Sequence, residues 1–209
     1  TITSQVSANV DAGFSIVKFT SNASTLTAGH GLNSIPDLII VKATSFADSW
    51  FVNSSALTNQ TDRALRLNAT SAEETNSAFW NNVAPTSTTF SLGNGISING
   101  NSYIAYCFAS KAGYSKVGSY VGTGATGNVQ YLGFEPAFLL VKRTSSTSDW
   151  YMIDNKRNPS NPRNSWLNAN TSTAEYTPSH GVDFLSNGFS FISTDLNGTG
   201  QSWIFLAIA

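Results

Sequence analysis

Apolar residues in this chain fall in short runs, most of them alternating with Ser, Thr, Asn or Lys, and polar stretches separate the runs. Alternation with a period of two marks a strand with one buried face. Gly13-Phe14-Ser15-Ile16-Val17-Lys18-Phe19 is such a run. A second pattern begins at Ile35. Pro36-Asp37 leads into Leu38-Ile39-Ile40-Val41-Lys42, whose four consecutive apolar residues predict a strand buried on both faces. A polar turn follows, then Trp50-Phe51-Val52. Pro at a strand entrance costs little, because the missing N–H precedes the ladder. The two strands read as a core hairpin.

That hairpin occurs twice. One hundred positions later stand Glu135-Pro136-Ala137-Phe138-Leu139-Leu140-Val141-Lys142, a polar turn and Trp150-Tyr151-Met152. The same offset relates Gly113-Tyr114-Ser115 to Gly13-Phe14-Ser15, Val117 to Val17, Leu167-Asn168 to Leu67-Asn68, and Trp203-Ile204 to Tyr103-Ile104. Phe189-Ser190 corresponds to Phe90-Ser91, and Asn197-Gly198 to the hairpin turn Asn99-Gly100. The expected architecture is all-β. Two duplicated jelly-roll-like β-sandwich units, 13–109 and 113–209, pack as a pseudo-dimer behind an N-terminal arm, 1–12. One large lectin-like sandwich sharing both sheets is the alternative. Leu38, Ile40, Ile104, Tyr106, Phe138, Leu140, Ile204 and Leu206 are the expected buried residues. Ala72 to Trp80 is expected to form a helical turn or two.

Composition narrows the function classes. Lys plus Arg number 11, Asp plus Glu 12, and the net charge is -1, whereas Ser, Thr and Asn number 73. Phosphate-backbone binding needs clustered Lys and Arg, so nucleic acid is not an expected partner. Hydroxyls and amides suit contact with sugars, with other copies of the chain, or simply turn-rich loops. No apolar run approaches the roughly 20 residues of a membrane-spanning helix, so no membrane insertion is expected. The polar start, 1–12, does not resemble a secretion signal, which fits assembly in a cytoplasm. Cys107 lies in an apolar run and aligns with Ala207, as a small core residue would.

Candidate chemistry is sparse. His30 and His180 do not correspond in the repeat, and no Cys or His cluster has metal-ligand spacing, so neither metal nor cofactor is expected. Glu73, Glu74 and Glu175 take similar places in separate halves rather than facing one another, unlike a glycosidase pair. No catalytic residue is assigned and no enzyme is expected. Gly122-Thr123-Gly124-Ala125-Thr126-Gly127 has the Gly-x-Gly-x-x-Gly spacing without a following helix, and reads as a flexible turn. Asp48 and Asp149 read as turn formers. Asn53-Ser54-Ser55 and Asn197-Gly198-Thr199, among other Asn-x-Ser/Thr matches, are expected by chance. Trp50 and Trp150 recur at one position and read as hairpin anchors. Trp80 and Trp166 lie in polar contexts, Trp80 beside Asn81 and Asn82. These residues are candidates for stacking on a sugar ring, contacting a neighbouring subunit or covering a sheet. Ile2, Val6 and Val10 are the anchors of an arm that either reaches a neighbouring copy or covers a sheet edge.

Several strings resemble a duplicated domain of tailed-phage virion proteins. They are Pro36 to Lys42, Ala84-Pro85-Thr86-Ser87 to Phe90, Tyr103-Ile104-Ala105-Tyr106-Cys107-Phe108-Ala109, and Gly113 to Tyr120. Arg157-Asn158-Pro159 and Asp183-Phe184-Leu185-Ser186-Asn187-Gly188-Phe189 belong with them. The resemblance covers nearly the whole chain from Gly13 onward. It implies a non-enzymatic protein of the bacteriophage virion surface, either a tail-fibre or adhesin module or a capsid decoration protein. Its partners would be other copies of itself, as a homotrimer, other virion proteins and a host surface glycan. It brings no catalytic or ligand residues. A secreted carbohydrate-binding module, and after it a glycan-degrading enzyme, are the alternatives.

Overall fold

The alternating runs become strands. The computed structural model describes residues 1–178 and 181–209, and among them there is no helix. Two compact units divide the chain. The first comprises Thr1–Leu67 and Glu73–Lys111, the second Asn68–Ala72 and Ala112–Ala209. The expected boundaries are therefore modified, because the short segment 68–72 belongs with the second unit.

In the first unit, β1 (Ser4–Asn9), β2 (Phe14–Thr20), β4 (Leu38–Ala43), β5 (Trp50–Ser54), β6 (Arg63–Arg66), β7 (Glu74–Thr75) and β9 (Ser102–Phe108) form one antiparallel sheet. Its order is β1-β2-β9-β4-β5-β6-β7. β3 (Leu26–Gly29) and β8 (Thr89–Leu92) form a second, two-stranded sheet. The core lies between the two, with Val17, Ile39, Val41, Phe51, Tyr103 and Ala105 from the large sheet meeting Leu26, Ala28, Phe90 and Leu92 from the small one.

The second unit repeats the plan. β10 (Ser115–Val121), β12 (Phe138–Arg143), β13 (Trp150–Asp154), β14 (Leu167–Asn168) and β17 (Ser202–Ile208) form a sheet in the order β10-β17-β12-β13-β14. This is the order β2-β9-β4-β5-β6 of the first unit. β11 (Asn128–Tyr131), β15 (Val182–Leu185) and β16 (Gly188–Phe191) make the smaller sheet. Phe189, Phe191, Val182 and Phe184 from it pack against Leu139, Val141, Ile153 and Phe205. Both units are thus two-layer β-sandwiches, and among the described residues no sheet closes into a barrel.

Register corrects the repeat in detail. Leu38 pairs with Phe108 and Phe138 with Ile208, so the hairpins and last strands keep the offset of one hundred. In the first strands, however, Ser15 pairs with Cys107 whereas Lys116 pairs with Ala207, the counterpart of Cys107. The second copy has slipped by one residue, so Val17 answers to Gly118, not to Val117. Val52 pairs with Leu65 and Met152 with Leu167, so Leu65, not Leu67, is the counterpart of Leu167. Gly100 N–H donates to Ser21 and Gly200 N–H to Gly122, so the turn Asn99-Gly100 answers to Thr199-Gly200 rather than to Asn197-Gly198.

Packing follows this register. Val17 sits opposite Ala105 in the first unit, and Gly118 opposite Phe205 in the second. A Cβ on Gly118 would lie 2.7 Å from Phe205 Cζ. One large and one small side chain have changed places across the ladder, which conserves core volume. The neighbouring aromatic pair is retained in both units. Phe19 stacks on Tyr103 with centroids 5.6 Å apart, and Tyr120 on Trp203 at 6.1 Å. The phenol changes strand. Tyr103 Oη donates to Ile96 O at 3.0 Å, and Tyr120 Oη to Leu196 O at 2.7 Å.

Four expected core residues, Ile40, Ile104, Tyr106 and Phe138, are only half-buried. In β4 and β9 the core face is taken by Ile39, Val41, Tyr103, Ala105 and Cys107, and period two sends Ile40, Ile104 and Tyr106 to the other face. Leu38, Leu140, Ile204 and Leu206 are buried as expected. No helix forms at 72–80. Glu74–Thr75 pairs with β6 and a turn follows.

The arm is a strand of its own unit. Ser4 to Asn9 pairs along its length with Phe19 to Phe14, Ile2 bridges Ala28, and Ile2 packs on the first core. It covers the edge of β2, leaving Val6 exposed on the edge strand and Val10 exposed in the turn after it.

Candidate functional site

The sequence-derived aromatic sites lie inside the fold. Trp80 and Trp166 are 1% and 3% exposed, so neither offers a face to a sugar or a subunit. Both serve one structural purpose. Trp80 Nε1–H donates to Arg63 O at 2.8 Å, and Trp166 Nε1–H to Arg163 O at 3.1 Å. Two tryptophans from different points in the repeat thus each satisfy the carbonyl of an arginine, although Arg63 and Arg163 are not counterparts in this register. Asn81 and Asn82 are exposed and hold φ of 57° and 54°. Asn tolerates this left-handed conformation, and the turn directs Trp80 inward.

Other singled-out residues have structural partners. Trp50 and Trp150 open β5 and β13 opposite Lys42 and Lys142. His30 is fully buried. Its Nδ1 accepts from Leu32 N–H at 3.2 Å, and its Nε2 lies 3.1 Å from Thr86 O. These contacts fit the neutral Nε2–H tautomer, and burial lowers its pKa. His180 lies outside the described residues. Glu74 pairs with Arg66 and Glu175 with Arg157. Burial pushes the Cys107 thiol up to about 12. The glycine-rich loop is tied to a buried amide. Buried Asn197 accepts from Thr123 N–H and Asn128 Nδ2–H and donates to Ala125 O. Asn53 and Asn197, both fully enclosed, are no glycosylation acceptors.

What remains is the hairpin loop between Lys42 and Trp50, or Lys142 and Trp150. Both copies share a backbone course. Thr44 N–H donates to Ser102 O and Thr144 N–H to Ser202 O. Ser45 Oγ and Ser145 Oγ accept from Ser102 N–H and Ser202 N–H. Lys42 Nζ donates to Asp48 O and Lys142 Nζ to Ser148 O, each at 2.6 Å. Lys142 is the more enclosed and also donates to Thr70 O. Desolvation, with Arg143 adding to it, lowers its pKa to about 8.

On this common frame the side chains diverge. In the first unit Phe46 packs on the core, edge-on to Tyr103 at 6.2 Å. The second unit has Ser146 there. Ala43, Ala47, Phe51, Gly95 and Tyr103 become Arg143, Thr147, Tyr151, Asp195 and Trp203. The result is a cleft of about 330 Å³ lined by Thr70, Arg143, Thr147, Ser148, Asp149, Tyr151, Asp195 and Trp203. The Arg143 guanidinium lies 5.9 Å from the Trp203 ring and donates to Thr147 O. Asp149 accepts from Asn168 and Asn170 amides at 3.3 and 2.7 Å. Ser148 Oγ reaches Tyr151 Oη at 3.4 Å. The indole N–H of Trp203 and Nε–H of Arg143 are buried and have no acceptor among the described residues.

A larger cleft of about 450 Å³ opens in the first unit between the β1 and β2 ends. Lys18 is its one charged lining residue, and it assembles no comparable set of groups. Among the described residues no group of three or more His, Cys, Asp or Glu stands together as a metal site would require. The sequence reading did not single out Arg143, Tyr151, Asp195 or Trp203. The signal was present, as polar or charged residues in one repeat facing Ala, Phe and Gly in the other. No curated protein and no solved structure matches the chain. A family model does match, over residues 1–209, and the chain belongs to that family, described as a domain of unknown function (DUF7483).

Proposed function

We propose that this protein is a non-enzymatic structural component of a bacteriophage virion surface, a tail-fibre module or a capsid decoration protein, presented as a homo-oligomer and acting by binding. The observation that carries this reading is the resemblance to phage virion domains, whose strings run through both units. Pro36 to Lys42, Tyr103 to Ala109 and Gly113 to Tyr120 supply β4, β9 and β10, framework strands rather than variable loops. Sparse charge adds support, since 23 charged residues in 209 leave little repulsion against close association. Mass-spectrometric counting of copies in purified particles tests the proposal. Hundreds of copies place the chain on the capsid and a few dozen on the tail. Absence from particles in infected cells that make the protein overturns it. The polar cleft of the second unit favours a second reading, a carbohydrate-binding module.

A further inference from the structure

Gene duplication supplies an internal control. The two hairpin loops share their backbone hydrogen bonds, yet the first unit plugs the space beside its β9 aromatic with Phe46 and the second leaves Ser146 there. Had the cleft no use, the apolar plug would be the more stable choice, because filling such space gains dispersion contacts. The second unit instead presents Arg143, Asp149, Tyr151 and Asp195 around Trp203.

We propose that this cleft binds a neutral sugar residue of a glycan, with half-buried Tyr151 offering its ring and Arg143, Asp149 and Asp195 exchanging hydrogen bonds with hydroxyls. Charge selects the class. An anionic ligand meets two carboxylates, and a cationic one meets the guanidinium with the Lys142 ammonium beside it. A polyhydroxyl ligand satisfies both signs, since each hydroxyl donates and accepts. The amides of Asn168 and Asn170 fix Asp149 and still leave lone pairs on its oxygens. The volume lies at the small end of ligand sites, about 300–1,000 Å³, as suits one or two sugar rings.

This inference rests on the binding role proposed above and names its site. Saturation-transfer NMR on the full chain tests it, with methyl glycosides of glucose, galactose, mannose and N-acetylglucosamine as probes. Glucuronic acid and glucosamine serve as charged comparators. At least one neutral glycoside is expected to bind, and the charged sugars at least about tenfold more weakly, because buried polar groups discriminate strongly. Ser146→Phe, which restores the plug of the first unit, and Asp195→Asn should each weaken binding by about tenfold or more. Circular dichroism of both variants should match wild type. Failure of every neutral glycoside to bind, equal binding of a charged sugar, or undiminished binding by the well-folded Asp195→Asn variant overturns the proposal. Each of these failures leaves the copy number in particles, and so the virion reading, untouched.

Discussion

At the residue scale, enclosure decides what a polar or aromatic side chain does. Trp80 and Trp166 stand in polar sequence, yet each is folded inward with its indole N–H on an arginine carbonyl. Lys142 is the reverse, a cation drawn inside at the end of an apolar strand because carbonyls of Thr70 and Ser148 receive its ammonium. Its folded-state pKa, about 8, lies below its ordinary 10.5. Between those values the unfolded chain holds the proton more tightly, so this group makes the fold more stable as pH rises from about 8 to 10.5. Below pH 8 the side chain is charged in both states, and its burial counts fully against the fold. In urea unfolding, wild type should therefore gain on Lys142→Met across that window. A difference between the two proteins that stays flat from pH 7 to 10.5 would show that the ammonium is as well solvated folded as unfolded.

At the element scale, strand pairs trade volume while keeping order. Val17 with Ala105 and Gly118 with Phe205 solve the same packing problem with the large residue on opposite strands. Phe205→Ala should cost about 3–5 kcal/mol, since the ring also meets Phe189 at 5.2 Å. Gly118→Val should cost about 1–3 kcal/mol by driving a side chain into that ring. The double variant recreates the pair of the first unit, so its cost should fall short of the sum by about 0.5–3 kcal/mol. Denaturant unfolding of the four proteins measures this coupling, and strict additivity would mean the two sites do not share space. The same one-residue slip defeated the sequence alignment here. Gly113-Tyr114-Ser115 looks like Gly13-Phe14-Ser15, but pairing is set by which side chains fill the core, and Tyr120 takes the place of Phe19.

At the scale of the whole molecule, duplication gave two sandwiches with one strand order and separate cores. Cys107, the single cysteine, is sealed in the first core and its thiol is held at about 12. Thiol reagents should therefore leave the native protein untouched at pH 8, and modification in increasing urea should follow opening of the first unit. Prompt labelling of native protein would contradict the packing around β9. The first unit also carries β1, which has no counterpart among the described residues of the second. An arm rich in Ser, Thr and Asn gives no periodic signal strong enough to separate an edge strand from a free extension, because a strand exposed on both sides needs no apolar face.

The sequence by itself determined the fold class, the duplication and the hairpins. Period-two alternation and the paired Pro-to-Trp segments are local properties, repeated at a fixed offset, and they survive without knowledge of contacts. Inside and outside were legible only in part. Ile39 and Ile40 are equally apolar, and only the placement of the small sheet decides that Ile39 is sealed and Ile40 half-covered. The cleft belonged to the tertiary structure. Arg143, Asp149, Asp195 and Trp203 are spread over 61 positions of sequence. They become neighbours because β12 lies beside both β13 and β17, and the loop before β17 brings Asp195 to the same cleft. A strand ladder joins residues distant in sequence through backbone hydrogen bonds common to every residue type, so the chemistry it assembles is not written in any local pattern.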